Sequence, residues 1–503
     1  MLKINQDEIN KAVWGACDTF RGTVDPSIYK DFVLTMLFLK YISDVHQDKT
    51  DELSKQFDGN PEMIAAMMES QSFKIPEDAT FANLYAARHK PGNGTRIDQA
   101  LHAIEEANGT KLKGVFQDIS FNTDKLGDEK QKNDILRHLL EDFGKDTLNL
   151  RPSRVGSLDV IGNAYEFLIK HFAATSGKTA GEFYTPPEVS DLLSILLEPK
   201  EGDQICDPAC GSGSLLMKCG KQVQNNFKDS RKYALFGQEA IGSTWSLAKM
   251  NMFLHGEDNH RIEWGDTIRN PKLQDKDGGL LHFDIVTANP PFSLDKWGHD
   301  GAADDPWGRF RRGVPPKTKG DYAFISHMIE TLKPKTGRMG VVVPHGVLFR
   351  ASSEGKIRKQ LINENLLHAI IGLPEKLFFG TGIPAAILIF KKDKSDEKVL
   401  FIDASREFKS GKNQNVLTAE NIQKIIDTYN ARESVDKYAY LATTDEIQEN
   451  DYNLNIPRYV DTFEEEKEID LMAVRKERLA LQKELDELEV EMTQYLEELG
   501  YGA

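Results

Sequence analysis

The period of the hydrophobic positions changes along the chain and divides it into regions of different structure. Up to about residue 150 the apolar residues recur at helical spacing, which predicts an all-helical N-terminal domain over 1–150. Asp25-Pro26 is typical of a helix start, because aspartate caps a helix and proline fits its first turn. Further helices are predicted to begin at Asn5 or Asp7 and to cover 61–68, 97–106 and 134–143. This region has no catalytic pattern, so we expect a packing or docking role.

Between residues 151 and 405 helices alternate with short apolar strands, which is typical of an α/β domain with a mostly parallel sheet. The strands are predicted at 204–206, 233–237, 261–264, 283–288, 338–343, 367–371, 385–391 and 399–402. The strands at 367–371 and 385–391 are joined through Gly380-Thr381-Gly382-Ile383-Pro384, and we expect them to pair antiparallel. Helical spacing returns over 406–460, which predicts a helical extension of this domain.

The last region, 461–503, has apolar residues at alternating steps of three and four, which is typical of a short coiled coil. The seam consists of Leu471, Val474, Arg478, Leu481, Leu485, Leu488, Met492, Tyr495 and Leu499. Only Arg478 interrupts it with a charge. We expect this helix to pair with another helix, from another chain or from the N-terminal region; the alternative is a helix packed on its own domain.

Composition narrows the class of protein. With 503 residues, 40% of them hydrophobic and 28% charged, the chain is expected to be a soluble protein of several domains. No apolar run approaches the length of a membrane span, and the polar start is unlike a signal peptide. Four cysteines without a secretion signal indicate reduced thiols in a cytoplasmic protein. Three of them, Cys206, Cys210 and Cys219, cluster without a Cys-x-x-Cys pair, so we expect no metal site.

The net charge is −16, which argues against unaided, nonspecific binding to nucleic acid. A local basic patch, or a basic partner chain, remains compatible with this charge. Such a patch follows residue 295 in a segment rich in glycine and proline. Its basic residues are Lys296, Arg309, Arg311, Arg312, Lys317 and Lys319. We expect phosphate contacts from this segment; the alternative is an ordinary solvated loop.

One predicted strand ends in unusual chemistry. The apolar run Asp284–Ala288 stops at Asn289-Pro290-Pro291-Phe292, and two prolines cannot continue a central strand. An amide, an adjacent carbonyl and an aromatic ring at a strand end can hold a flat heterocycle with an exocyclic amino group. This pattern favours methylation of such a group, with adenine as the first candidate.

A second motif, Asp207-Pro208-Ala209-Cys210-Gly211-Ser212-Gly213-Ser214, follows the first strand of the sheet. Glycines at a strand-to-helix turn let a ligand approach the backbone closely. The Lys-Ser/Thr pair of a Walker loop is missing, and so is a complete dinucleotide-binding glycine pattern. The leading aspartate suits a cationic ligand better than a pyrophosphate.

Acidic residues also follow the next two strands. Glu239 can accept from both ribose hydroxyls, and Asp266 can accept from an adenine amino group. Because ligands of parallel sheets bind at the carboxyl ends of the strands, we expect Asp207, Glu239 and Asp266 to lie around one ligand. Their order along the sheet favours sites for methionine, ribose and adenine.

These motifs resemble those of S-adenosylmethionine-dependent amino-methyltransferases of DNA. More closely, the chain resembles the modification subunit of type I restriction–modification systems, over nearly its whole length. The resemblance rests on the two motifs above, on Gly181-Glu182-Phe183-Tyr184-Thr185-Pro186, and on Trp14 and Phe38-Leu39-Lys40-Tyr41 in the helical start. Asn453 to Tyr459 and the helical tail are similar to the subunit's C-terminal part.

The resemblance implies a Rossmann-like methyltransferase sheet, mostly parallel with an antiparallel strand near one edge, between an all-helical domain and a helical tail. It implies S-adenosylmethionine as cofactor, and double-stranded DNA as substrate. It further implies a specificity subunit, a second copy of this chain and a restriction subunit as partners. The residues expected at the cofactor are Phe183, Tyr184, Thr185, Asp207, Ala209, Gly211, Ser212, Gly213, Glu239, Asp266 and Asn289. The catalytic residues expected are Asn289, Pro290, Pro291 and Phe292.

Two other functions fit parts of the same pattern. Related folds use similar Asn-Pro-Pro-aromatic motifs to methylate guanine N2 in ribosomal RNA or a glutamine amide in a protein. The helical start, the Asp207 motif and the coiled-coil tail argue against both. A structural subunit without activity is the third alternative, and the intact Asn289, Phe292 and Gly211–Gly213 argue against it.

Overall fold

The computed structural model describes residues 5–156, 158–175, 185–378, 382–412, 414–462 and 471–501. The chain divides into two compact units, Met1–Val460 and Asp461–Ala503. The division of the first unit at residues 150 and 405 remains a prediction.

The N-terminal region is helical throughout its secondary structure. Its α-helices are α1 (Gln6–Ala16), α2 (Pro26–Gln56), α3 (Pro61–Met68), α4 (Phe81–Ala86), α5 (Asn93–Ala107), α6 (Glu129–Phe143), α7 (Pro152–Val155) and α8 (Leu158–Thr175). Asn5, rather than Asp7, caps α1. Its side chain accepts from the Asp7 N–H, and the Glu8 carboxylate in turn accepts from the Asn5 N–H.

The strands form one sheet that carries helices between them. The strands are β1 (Gln204–Asp207), β2 (Ala234–Glu239), β3 (His260–Trp264), β4 (Ile285–Ala288), β5 (Arg338–Pro344), β6 (Leu367–Gly372), β7 (Ala385–Lys391), β8 (Lys398–Asp403) and β9 (Ala439–Thr443). The helices are α9 (Pro187–Leu196), α10 (Ser214–Asn226), α11 (Gly242–Leu254), α12 (Asp321–Glu330), α13 (Gly346–Phe349), α14 (Ser352–Asn363), α15 (Ala419–Ala431) and α16 (Thr444–Glu449).

The strand order is β3-β2-β1-β4-β5-β7-β6-β8-β9. Strands β1 to β6 and β8 share one direction, while β7 and β9 run against it. The predicted fold class, a mostly parallel sheet with an antiparallel strand near one edge, is confirmed, as is the antiparallel pairing of β6 with β7; β9 adds a second antiparallel strand. All eight predicted strands are present.

The expectation of only helices over 406–460 is wrong at one place. Ala439–Thr443 forms β9, which pairs antiparallel with β8 at the edge of the sheet. An edge strand of five residues buries only part of its side chains, and Tyr440 and Leu441 are half-buried. Its apolar pattern is therefore too short to stand out from the helical spacing around it.

The helical N-terminal region and the sheet share one hydrophobic core, which runs from Ile9 to Ala439. Phe73 of the helical region packs edge-on against Phe253 of α11, with ring centroids 5.1 Å apart. The helical region thus supports α11, the helix that connects β2 with β3.

The second unit contains one long helix, α17 (Leu471–Glu498). The described members of its apolar seam are exposed, including Leu481, Leu485 and Leu488 at 50–59%. A row of exposed leucines is costly in water, so this helix is suited to pairing. Among the residues that the structure describes, no helix combines the length and hydrophobicity needed to cross a membrane.

Candidate active site

The site is centred between β1 and β4. The chain builds β1, β2 and β3 outward in one direction and then returns to place β4 on the other side of β1. The carboxyl ends of these two neighbouring parallel strands therefore diverge into a crevice. Asp207 is the last residue of β1, and Asn289 follows directly after β4. The topology thus brings the two sequence motifs to the two sides of one opening.

The turn after β1 depends on two glycines. Gly211 and Gly213 have φ angles of 54° and 79°, in the left-handed region that disfavours other residues, and α10 begins immediately afterwards. The Asp207 carboxylate accepts from the Ala209 N–H at 2.9 Å. From α11, the Asn251 amide donates to the Ser212 carbonyl at 3.0 Å. These hydrogen bonds within the chain hold the backbone of the turn in place.

Glu239 connects this turn to the second strand. Its Oε2 accepts from the Gly211 N–H at 3.0 Å and its Oε1 from the Ile241 N–H at 2.9 Å. Asp266 plays a similar local role after β3, where its Oδ1 accepts from the N–H groups of Ile268 and Arg269, both at 2.9 Å. Both carboxylates are therefore held by backbone donors.

A cavity of about 210 Å³ lies over these strand ends. Its lining includes Ala209, Glu239 and Asp266, three of the predicted cofactor residues, and Pro291 of the catalytic motif. Asp207, Gly211, Ser212 and Gly213 form the turn beside the cavity rather than its lining, and the side chains of Asp207 and Ser212 are buried. Apolar residues such as Ile241 and Trp297 supply the remaining walls, so the cavity combines a flat apolar surface with carboxylates.

The electrostatics of this region favour a cation. Burial, and secondarily the negative charge of Glu239, raises the pKa of Asp207 to about 8. Burial also raises the pKa of Glu239, although its backbone donors oppose the shift. Two carboxyl groups that cannot easily ionise together gain from a positive ligand, because it offsets the desolvation of both.

Asn289 occupies the exit of β4. Its Nδ2 donates to the hydroxyl of Thr185 at 3.2 Å, which joins the motif to the segment before α9. Its Oδ1 is buried and has no hydrogen-bond partner among the described residues. Leaving a buried acceptor unpaired costs about 1–3 kcal/mol, so a ligand that donates to this oxygen would gain free energy from the pairing.

The aromatic residue of the motif also has a defined setting. Phe292 is half-buried and meets Phe378 edge-to-face, with ring centroids 5.9 Å apart. Pro290 is buried, and Pro291 faces the cavity described above. The motif therefore borders the cavity through Pro291 and meets the connection between β6 and β7 through Phe292.

Of the predicted cofactor residues, Phe183 and Tyr184 lie outside the described residues. The four cysteines are buried free thiols, with Cys206 on β1 and Cys210 in the glycine turn. Among the described residues, no group of three histidine, cysteine or acidic side chains is arranged to hold a metal ion.

Two of the predicted DNA contacts need correction. Arg309 is 2% exposed and pairs with Asp305 at 2.7 Å. Arg312 is 6% exposed and pairs with Glu330 and Glu364. A buried, paired guanidinium does not reach a phosphate, so these arginines have structural roles. Arg311, Lys317 and Lys319 keep side chains that are at least partly accessible.

Comparison with known proteins settles the family. A model of the family described as N-6 DNA Methylase matches residues 156–468, and a model of the HsdM N-terminal domain matches residues 9–143. The chain belongs to the N-6 DNA methylase family. The resemblance inferred from the sequence is confirmed, and the chain is an adenine-N6 DNA methyltransferase of the type I methylase-subunit kind.

Individual relatives cover most of this methylase chain. The type I restriction enzyme MjaVIII methylase subunit of Methanocaldococcus jannaschii is 34% identical over 99% of this chain and 86% of its own length. The HindI methylase subunit of Haemophilus influenzae is 34% identical over 80% of this chain and 92% of its own. A solved type I methyltransferase subunit from Streptococcus thermophilus superposes with a TM-score of 0.81 at 35% identity, covering 91% of this chain and 100% of that one.

Sequence reasoning missed three side chains of the methylase site. Phe378 comes from the connection between β6 and β7, and its contact with Phe292 spans 86 positions, beyond any local pattern. Asp321 and Arg350 hold the backbone after the catalytic motif. The sequence signal for Asp321 was its place in Gly320-Asp321-Tyr322, where order returns after the basic segment.

Proposed function

We propose that this methylase subunit transfers a methyl group from S-adenosylmethionine to N6 of an adenine flipped out of duplex DNA. The observation that carries the proposal is the buried Oδ1 of Asn289, which has no partner among the described residues and lies beside a cavity lined by Glu239 and Asp266. An acceptor that lacks a donor, next to carboxylates that favour a cation, matches an amine substrate and a sulfonium cofactor.

The chain's own residues fit the cofactor. S-adenosylmethionine supplies a methyl group on a positively charged sulfonium and also carries an ammonium group, a ribose and an adenine. Asp207, with its pKa raised by burial, gains from a nearby positive charge. Glu239 and Asp266 present carboxylates for the hydroxyl and amino donors of the nucleoside, and Ile241 and Trp297 give its ring an apolar wall. We assign Thr185, Ala209 and the Gly211–Gly213 turn to the same ligand.

The catalytic step follows from the position of Asn289. The exocyclic nitrogen of adenine is a poor nucleophile, because its lone pair is delocalised into the ring. When Asn289 Oδ1 and the Pro290 carbonyl accept hydrogen bonds from its two N–H groups, the nitrogen is held toward tetrahedral geometry and its lone pair points away from both acceptors. The N–C bond would form as the S–C bond of the sulfonium breaks to leave a neutral thioether, and the methylated nitrogen would lose one proton to solvent, which needs no strong base because that nitrogen has become acidic. Fixed acceptors of this kind lower the barrier through positioning and preorganised dipoles. We assign Phe292 to stacking on the extruded base, worth about 1–3 kcal/mol by analogy with single-strand binding.

An adenine inside a duplex is out of reach of such a site, so the base must be flipped out. We assign backbone contacts with the DNA to Arg311, Lys317 and Lys319, the accessible part of the basic segment. Support comes from a second cavity of about 600 Å³ lined by Arg269, Lys296 and Lys317, which shares Ile268 with the first cavity. Basic side chains beside a catalytic cavity suit the phosphates that flank a flipped nucleotide.

Sequence choice is assigned to a partner. We propose assembly with a separate specificity subunit through α17, together with a second copy of this chain and, in the complete system, a restriction subunit. The exposed leucine seam of α17 supports a coiled-coil contact.

The proposal is tested with the chain and its specificity partner, duplex DNA and methyl-labelled S-adenosylmethionine. We expect the label in N6-methyladenine after digestion of the DNA to nucleosides. Label confined to RNA or to a glutamine of a protein would overturn the substrate assignment. A complex that binds the cofactor without transfer to any of the three would support the inactive alternative.

A further inference from the structure

The segment that follows the predicted catalytic motif contains a buried ion pair beside the second cavity, which Asp305 and Arg309 both line. The guanidinium of Arg309 donates to Asp305 Oδ1 from Nε at 3.0 Å and from Nη2 at 2.7 Å. Its Nη1 also approaches the ring Nδ1 of His327 at 3.2 Å. All three side chains are at most 5% exposed. The side chains of this cluster are therefore almost fully shielded from solvent by the protein around them.

The same guanidinium reaches the loop after β3. Its Nη1 donates to the Thr267 carbonyl at 3.1 Å and its Nη2 to the Ile268 carbonyl at 2.7 Å. These two residues line the 210 Å³ cavity and follow directly on Asp266. Arg309 thus holds the carbonyl side of the loop, while the Asp266 carboxylate holds its N–H side.

The loop is tied to the glycine turn as well. The Thr267 hydroxyl donates to the Pro208 carbonyl at 2.5 Å. A small hydrophobic cluster around Ile268 and Trp297, with Phe310 next to Arg309, packs against Ala209 of the turn. The segment after the catalytic motif therefore forms an outer wall of the cavity rather than a loop that extends into solvent.

The positive charge of Arg309 is neutralised by a partner within this wall. Asp305 balances it, and burial together with the Arg309 charge lowers the pKa of His327 to about 3, so the ring stays neutral. A neutral imidazole can accept from the guanidinium. The side-chain hydrogen bonds of Arg309 that the structure describes end on Asp305 of the wall, on His327 of α12 and on the loop after β3.

We propose that Arg309 is a positioning residue for the cofactor: it fixes Thr267 and Ile268 so that Asp266 faces the cavity. The inference rests on the proposed assignment of this cavity to S-adenosylmethionine. It replaces the role in DNA binding that the basic sequence predicted for Arg309.

The test compares two buried arginines of the same segment in the full-length chain. Arg309→Lys keeps the charge but cannot reach Asp305 and both carbonyls together. Arg312→Lys is the matched control, because Arg312 is equally buried but pairs with Glu330 and Glu364. We expect the dissociation constant for S-adenosylmethionine, measured by calorimetry without DNA, to rise roughly tenfold in Arg309→Lys. In Arg312→Lys we expect a change of less than about twofold.

A second variant shows whether weaker cofactor binding is caused by loss of the fold. Arg309→Met with Asp305→Asn removes both charges, so no buried carboxylate is left unpaired. It should also weaken cofactor binding while keeping a cooperative thermal transition. In the complex with the specificity subunit, KM for the cofactor should rise in both variants and KM for DNA should not.

The outcomes distinguish a failure of the positioning role of Arg309 from a failure of the proposed function. Unchanged cofactor affinity in both Arg309 variants, or a rise in KM for DNA alone, would overturn the positioning role. If the wild-type chain does not bind S-adenosylmethionine, the proposed function itself fails instead.

Discussion

The carboxylate of Asp321 accepts a 2.7 Å hydrogen bond from the backbone N–H of Ser293, the residue that follows the catalytic motif. Ser293 has a φ angle of 53°, in a region that costs energy for a residue other than glycine. The other oxygen of Asp321 pairs with Arg350 at 2.9 Å, and Asp321 is 2% exposed. The first residue of α12 therefore holds the strained exit of Asn289-Pro290-Pro291-Phe292.

We expect Asp321→Ala to lower kcat for methyl transfer roughly tenfold, because a charge-assisted hydrogen bond that holds the motif is lost. Asp321→Asn keeps an oxygen for the Ser293 N–H and should retain more activity. Single-turnover kinetics with the assembled complex measure the rate, and calorimetry checks that cofactor affinity is kept. Equal activity of both variants and the wild type would show that Ser293 needs no such anchor.

The raised pKa of Asp207 gives a pH signature. Its pKa is about 8 in the folded protein and near 3.8 in a free side chain, so between these values the folded state binds a proton that the unfolded state lacks. The free energy of unfolding should therefore fall as pH rises from about 5 to 8, relative to Asp207→Asn, which does not titrate. Thermal unfolding of both proteins without cofactor over this range measures the difference.

Addition of S-adenosylmethionine should stabilise the wild type more at pH 8 than at pH 6, because a cation favours the ionised carboxylate. Parallel unfolding curves for wild type and Asp207→Asn would contradict the assigned pKa and its link to the cofactor.

The basic segment should contact DNA through its accessible residues, of which Lys317 is the one tested. We expect Lys317→Gln to raise KM for DNA and to reduce the slope of log affinity against log salt by about one, as for one lost phosphate contact. Lys335→Gln is the control: this exposed lysine precedes β5 and so lies toward the amino ends of the strands, away from the site. An equal change in both variants would indicate only a general effect of charge.

The tail should govern assembly. Because Met1–Val460 forms a compact unit of its own, removal of residues 467–503 should leave its fold and cofactor affinity intact while weakening association with the specificity subunit. Leu485→Glu, on the exposed seam, should do the same, whereas Lys483→Glu lies off the seam and should not. Size-exclusion chromatography with light scattering measures the complex. Unchanged assembly after the deletion would return α17 to a helix packed within its own chain.

The sequence predicted the sheet well because its central strands are short and largely buried, and several of them end next to glycine or proline. The clearest case is β4, whose residues Ile285–Ala288 are all buried and which is followed, after Asn289, by two prolines. β9 was missed because an edge strand hides only part of its side chains. The order of strand ends also predicted that Glu239 and Asp266 line one cavity, since parallel strands end at the same edge.

The roles of the basic residues were harder to predict. The sequence pattern around a basic residue in a loop is the same whether its side chain binds a phosphate or pairs with a buried carboxylate. For Arg309 the partner is Asp305, only four residues earlier, and that spacing was the available signal. For Arg312 the partners lie 18 and 52 positions away, where no local pattern reaches. Phe378 and Asp321 were missed for the same reason as the partners of Arg312, because their contacts with the predicted catalytic motif form only when the sheet is complete.

The central claim concerns the unpartnered oxygen of Asn289, and Asn289→Ala tests it most directly. The variant removes that acceptor and the bond to Thr185, while Glu239, Asp266 and the glycine turn remain. Methyl transfer to duplex DNA by the assembled complex is measured beside cofactor affinity for the same preparation. We predict a loss of transfer of at least about a hundredfold, as when an enzyme loses one preorganised group, with the dissociation constant for S-adenosylmethionine within a few-fold of wild type. Transfer to adenine N6 at an undiminished rate would contradict the account.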